Sequence, residues 1–236
     1  AGLGMLHALG VKFLDEALQP LPIEVSSLEK LNTIDTSEMN ELISQSHFTI
    51  ACDVDNPLVG ERGATAIFGP QKGIMPEQIK QFDQYLTHFA DIVEKEKGII
   101  LHYYPGAGAA GGIGGAFKAY FPSTFKKGIE VVLDALKYDE HLQDAHLVIT
   151  GEGKSDIQTL AGKAPMGIAL KAKEYNVPAV LLSGVIDPNA KEKLQQMYAH
   201  VFSVVGDDIT SNESLENPAK CLQQRVEKAF REVFRG

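Results

Sequence analysis

From residue 145 onward the chain repeats one unit: a short aliphatic and β-branched run, a polar break, then a stretch of helical period. The runs predict strands over 145–150, 178–183 and 201–205, and helices over about 164–175, 189–199 and 216–234. Strands buried on both faces read as continuous apolar runs. Joined by right-handed crossovers, they give an α/β fold with a helix-covered parallel sheet. Asn176 and Pro178 punctuate the first helix, and Asp187-Pro188-Asn189 signals the start of the second. In the last helix Leu222, Val226, Ala229, Phe230 and Val233 recur at helical spacing, a stripe that reads as core.

The first 143 residues have another texture. Phe48–Ala51 predicts a strand, Ala64–Phe68 a second, and Pro76–Gly98 a long amphipathic helix with Ile79, Phe82, Leu86, Phe89 and Val93 inward. Residues 19–46 have weak periodicity and predict a strand or two with a short helix. The change from irregular, glycine-rich sequence to regular alternation sets a domain boundary near 143, dividing the chain into 1–143 and 144–236.

Composition narrows the function. Of 236 residues, 44% are hydrophobic, enough for a sizeable core. A net charge of −9 without a basic block excludes binding to a phosphate backbone, so no nucleic acid is expected. Cys52 and Cys221 are far apart and lack neighbours at metal-ligand spacing, which excludes a disulfide framework or zinc site and fits a reducing cytoplasm. No apolar run is long enough to span a bilayer and no leader is visible, so a membrane role is not expected.

Chemistry is expected in Leu147–Pro165, where an apolar run is broken by glycines, acids, lysines and hydrogen-bonding side chains. The crevice beyond the carboxyl ends of parallel strands is the default ligand site, because helix N-termini and loop amides converge there. Gly151 and Gly153 let the backbone approach an anion, Lys154 and Lys163 supply positive charge, and Glu152 and Asp156 can hold a cation or a proton. A Walker A loop is absent, because Ile157 stands five positions before Gly162 and Ala164 follows Lys163. No G-x-S-x-G elbow is present, and the scattered histidines give a Ser-His-Asp hydrolase no support.

Two stretches in the first part are further candidates. Gly106, Gly108 and Gly111 match G-x-G-x-x-G, but the acid at the fingerprint spacing, Glu130, lies in an apparent helix over Ile129–Lys137, which disfavours NAD. With Gly112 they read instead as a phosphate cradle before a helical stretch at Ala116–Phe121. Asp53 and Asp55 fall on one side of a strand end, followed by Asn56, and suit magnesium, which takes one or two carboxylates and completes its shell with water and phosphate oxygens. Lys72 adds one cation in the turn Phe68–Gly73.

ACDVDNPLVGERGATAIFGPQKG, PGAGAAGGIGGAF and LVITGEGKSDIQTLAGKAPMGIA, in that order, closely resemble the bacterial glycerate kinases that phosphorylate D-glycerate with ATP. The resemblance implies a Rossmann-like or flavodoxin-like parallel-sheet domain with a second, inserted α/β domain of mixed sheet. Residues 1–143 would be the inserted domain with its glycine loop, and 144–236 an incomplete Rossmann-like domain whose first strands are missing, since family members are longer. It also implies transfer of the γ-phosphoryl group of ATP to glycerate, most simply giving 2-phosphoglycerate.

In that reading Asp156 is the base, Lys154 and Lys163 grip phosphate or carboxylate, and Glu152 with Asp53 and Asp55 holds Mg2+. Gln158, Thr159, Asn56, Lys72 and the glycines at 106, 108, 111, 112, 151 and 153 bind substrate or phosphate. Family members usually carry arginine at Lys154 and often histidine at Ala161. Lysine keeps the charge without the bidentate fork, and alanine excludes a histidine-dependent step there. The alternatives are a non-catalytic nucleotide- or organic-acid-binding fragment and a kinase of another small hydroxy acid. A homo-oligomer is compatible with either.

Overall fold

A computed structural model of the chain describes residues 1–234, apart from the side chain of Ala161. The fold is mixed α/β and divides between Lys126 and Lys127 into two compact units.

In the first unit α1 (Leu3–Ala8) leads into β1 (Lys12–Leu14), which pairs antiparallel with β2 (Thr33–Asp35), Phe13 opposite Ile34. A short α2 (Leu42–Gln45) precedes β3 (Phe48–Ala51). Next come α3 (Ala64–Phe68), α4 (Ile79–Lys97) and α5 (Ala109–Tyr120), and then β4 (Ser123–Lys126), which pairs parallel to β3. The strands thus form two separate ladders, one antiparallel and one parallel, in place of a single mixed sheet. The long helix is where its period puts it: Leu86, Phe89 and Val93 are buried with Leu28, Leu31 and Ile34, and Ile79 and Phe82 are half-buried.

Ala64–Phe68 is a helix, contrary to the strand expected from its apolar run. Five apolar residues carry too little period to separate the two states, and its alanines favour the helix. Intrahelical-type bonds from Ile67 N to Gly63 O and from Gly69 N to Thr65 O close it.

The second unit opens with α6 (Gly128–Ala135) and α7 (Tyr138–Leu142). Leu142 and Tyr138 pack into the same cluster as Val148, Ala169, Leu181 and Leu194, so the division falls upstream of residue 143. Glu130, the acid at the fingerprint spacing, caps α6 by accepting from Lys127 N at 3.2 Å.

Then follow β5 (Val148–Thr150), β6 (Lys154–Ser155), α8 (Ala164–Glu174), β7 (Ala179–Ser183), β8 (Val185–Ile186), α9 (Pro188–Met197), β9 (His200–Ser203), α10 (Ser211–Glu216) and α11 (Pro218–Val233). The sheet is parallel in the order β5-β7-β9, and β6 pairs parallel with β8 just beyond it. The last helix expected over about 216–234 is α11, and Pro218 starts it apart from α10, since it offers no N–H to continue the preceding turn and suits the first turn of a new helix. Val226, Ala229, Phe230 and Val233 lie against Leu147, Val180 and Phe202 of the sheet face, but Leu222, expected in the same stripe, is 44% exposed. No described helix is long and apolar enough to cross a membrane.

Candidate active site

The second unit places its ionisable groups just beyond the ends of β5 and β7. After Thr150 the chain passes through Gly151, Glu152 and Gly153. Gly184 N donates to Glu152 O and Val185 N to Gly153 O, both at 3.0 Å, which pins this loop to the segment after β7. Gly151 is required there by close approach: a Cβ would lie 2.0 Å from Leu182 O.

Glu152 is held by hydroxyls. Its Oε1 accepts from Ser155 Oγ at 2.9 Å and from Thr159 Oγ1 at 2.6 Å, and both residues are fully buried. Ser155 Oγ also lies 2.5 Å from Ser183 Oγ. Because the Ser155 proton goes to the carboxylate, Ser183 is the donor in that pair. Thr159 Oγ1 accepts in turn from Asp156 N at 2.9 Å, so one hydroxyl fixes both acids. Buried, satisfied networks of this kind hold a single geometry.

Lys163 faces both carboxylates. Its Nζ is 3.9 Å from Glu152 Oε2 and 3.8 Å from Asp156 Oδ1, distances of ion pairing and not of hydrogen bonding. Lys163 also stands at the N-cap of α8. Asp156 Oδ1 accepts from Gln158 N at 2.8 Å, and Lys154 is exposed on β6. Tyr198, 3% exposed, has a phenol with no hydrogen-bond partner, and burial together with the charge of Glu152 pushes it up to about 12. A cavity of about 470 Å³ opens beside this cluster at the carboxyl ends of β5, β7 and β9.

The first unit assembles its candidates differently. Ala110, Gly111 and Gly112 all have positive φ, 52°, 74° and 95°, so α5 becomes regular only after them. Gly111 and Gly112 N donate to Gly108 O, and Gly108 N donates to Asn56 O at 3.0 Å. The first two amides therefore close the loop on itself, and the third ties it to Asn56. Gly106 approaches Cys52, since a Cβ would lie 3.4 Å from its sulfur. Lys72 does reach the loop: its Nζ is 3.1 Å from where a Cβ on Gly111 would be.

β3 ends at Ala51, so Asp53 and Asp55 lie in a loop where the period-two argument for a shared strand face does not apply. Asp55 Oδ1 accepts from Arg62 at 2.7 Å, and Asn56 Nδ2 donates to Arg62 O at 2.8 Å. Among the described residues no group of three or more His, Cys, Asp or Glu is poised to hold a metal. The side chain of Ala161, where the resemblance bears on a histidine, lies outside the described residues.

Ser155, Ser183 and Tyr198 are the site residues that pattern reasoning missed. A serine closing a buried aliphatic strand, as in Ala179–Ser183, is the signal that was available.

The sequence profile described as the Glycerate kinase family matches residues 1–234. The chain belongs to the glycerate kinase family. It is 39% identical over 223 residues to the glycerate kinase of Bacillus subtilis, covering 94% of this chain and 58% of that protein. It is 38% identical over 232 residues to the glycerate 2-kinase of Escherichia coli K12, covering 98% and 60%. A crystal structure described as a candidate glycerate kinase 2 from Salmonella typhimurium LT2 superposes with a TM-score of 0.75 at 38% identity, covering 98% of this chain and 59% of that one. The chain thus spans about three fifths of the length of these glycerate kinase relatives.

Proposed function

We propose that this chain carries the phosphoryl-transfer site of a cytoplasmic, ATP-dependent kinase that converts D-glycerate to 2-phosphoglycerate. The observation that carries the reading is the Glu152–Lys163–Asp156 arrangement: an ammonium between two carboxylates, one of them locked by buried hydroxyls. It lies at the sheet edge where α/β folds bind ligands. Phosphoryl transfer demands alignment and charge neutralisation more than covalent chemistry.

The roles follow from what each atom already contacts. Asp156 accepts the proton of the glycerate hydroxyl; it is 27% exposed and held through Oδ1 and its own backbone N–H. Lys163 places positive charge on the transferring phosphoryl oxygens, where it replaces the long ion pairs to Glu152 and Asp156. Lys154, exposed on β6, suits the substrate carboxylate.

Magnesium fits this donor set, because it is content with one or two carboxylates plus water and phosphate oxygens. Glu152 Oε2 is the oxygen that the two hydroxyls leave over, and when bound the ion would neutralise phosphate charge. Asp53 remains a candidate ligand in the first unit, whereas Asp55 would first have to release Arg62.

The test is turnover itself. A coupled ADP-release assay with D-glycerate and ATP should show glycerate-dependent ADP formation, with 2-phosphoglycerate identified by phosphorus NMR. Absence of turnover, or formation of the 3-phosphate, would overturn the reading.

A further inference from the structure

The first unit carries a cavity of its own, about 560 Å³, lined by residues 36–44 and by the C-terminal ends of α4 and α5. That volume lies within the range of small-molecule sites, roughly 300–1,000 Å³. None of the acids and lysines of the candidate active site takes part in it.

Its polar lining is rich in donors that have no acceptor. Lys97 Nζ lies 4.7 Å from the centroid of the Tyr120 ring, and Lys118 Nζ lies 4.7 Å from that of Tyr104, so each ammonium is steered by an aromatic face. Among the described residues neither lysine has a carboxylate partner. Both stand in the last turn of a helix, where they offset the carbonyl end and keep protons for a further acceptor. Asn40 spends its Oδ1 on Leu42 N at 3.0 Å, which leaves its amide N–H groups to donate. Tyr120 is 8% exposed, and its phenol has no hydrogen-bond partner. Burial, reinforced by the charge of Glu96, pushes that phenol above its ordinary range, so it keeps its proton.

Charge and wall chemistry narrow the occupant. Among the described lining residues Glu41 is the one carboxylate, so two ammoniums against it leave a surplus of one positive charge, in a chain whose net charge is −9. The remaining walls include Met39, Ile43, Ile99 and Phe121. A neutral apolar molecule would cover these and leave the ammoniums unmatched. An inorganic anion would do the reverse, and a dianion would bring its second charge against Glu41.

We propose that this cavity is a binding site for a monoanionic organic acid, its carboxylate paired with Lys97 and Lys118 and its aliphatic or aromatic body against Met39, Ile43, Ile99 and Phe121. The site goes beyond the kinase reading and does not depend on it, so either can fail without the other.

The test uses 4-fluorophenylacetate, titrated into the full chain and followed by fluorine NMR, beside the uncharged 2-(4-fluorophenyl)ethanol. The acid should bind with a Kd of about 1 mM, and the alcohol roughly fivefold or more weakly. Lys97→Gln and Lys118→Gln should each weaken the acid by about twofold to fivefold, and together by about tenfold, while the alcohol stays within about twofold. Glu41→Gln should tighten the acid by about twofold, a gain that a misfolded variant cannot mimic. Lys80, exposed at the start of α4 and outside the cavity, is the control; Lys80→Gln should leave the affinity nearly unchanged. No binding at about 10 mM acid, an alcohol that binds as tightly as the acid, unchanged affinity in the double lysine variant, or an equal loss in Lys80→Gln would each overturn the site.

Discussion

The two glycine-rich loops of this molecule look alike in sequence and behave differently in the fold. In the first unit, Gly106–Gly112 bends the backbone through three consecutive left-handed residues, and the amides of Ala109, Gly111 and Gly112 bond within the loop while that of Gly108 bonds to Asn56 O. In the second unit, Gly151 and Gly184 bring two strand ends together, and Gly153 leaves open space beside Glu152. Glycine density therefore marks where backbone must pack on backbone. The candidate site is marked instead by acids anchored on buried hydroxyls and by a lysine that faces them.

The largest expected effect sets one loop against the other. Gly108→Ala would put a Cβ 2.1 Å from Pro57 O and should cost about 3 kcal/mol or more in urea unfolding, because neither backbone segment can move without the other. Gly153→Ala should change stability by no more than about 0.5 kcal/mol, since its Cβ meets open space. Equal losses at the two positions would erase the distinction.

Next in size is the hydroxyl support of the acids. Thr159→Val removes a donor to Glu152 and an acceptor for Asp156 N in a fully buried place, and about 2 kcal/mol of stability should go with them. A stability loss below about 0.5 kcal/mol would mean that the network is incidental.

The smallest effect is electrostatic and depends on pH. The Arg225 guanidinium beside Asp208 holds that carboxyl below its ordinary range. A group whose pKa is lower folded than unfolded adds stability above its unfolded pKa, and loses it as pH falls through the folded value. Between about pH 4 and pH 2 the urea midpoint of the native protein should fall more steeply than that of Asp208→Asn. Parallel acid limbs would mean that the pair with Arg225 does not stabilise the fold.

Much of the second unit was legible because its physics is local. Strands buried on both faces read as unbroken apolar runs, and proline and asparagine mark the helix ends, so β5, β7, β9, α8 and α9 lie within a few residues of their expected places. The acids and lysine were legible as an unusual density of charge between apolar elements. Ser155 and Ser183 were not, because a serine at a strand end looks like turn chemistry until the facing serine is known to lie 2.5 Å away.

The first unit was harder to read for the opposite reason. Its five-residue α3 has less than two turns of period, and its glycine loop carries a nucleotide-like fingerprint while the amides of Ala109, Gly111 and Gly112 bond within it. The division at Lys126–Lys127 was hidden because α6 and α7 pack with residues that follow them, a tertiary fact that composition does not record.

The central claim is that Asp156, on its hydroxyl-anchored loop, takes the proton during transfer. The direct measurement is the steady-state rate of glycerate-dependent ADP formation by Asp156→Asn, with glycerate and ATP saturating. The account predicts that kcat falls by roughly 10²–10⁴ while the KM for ATP changes little. A kcat within about threefold of the unmodified protein would contradict it.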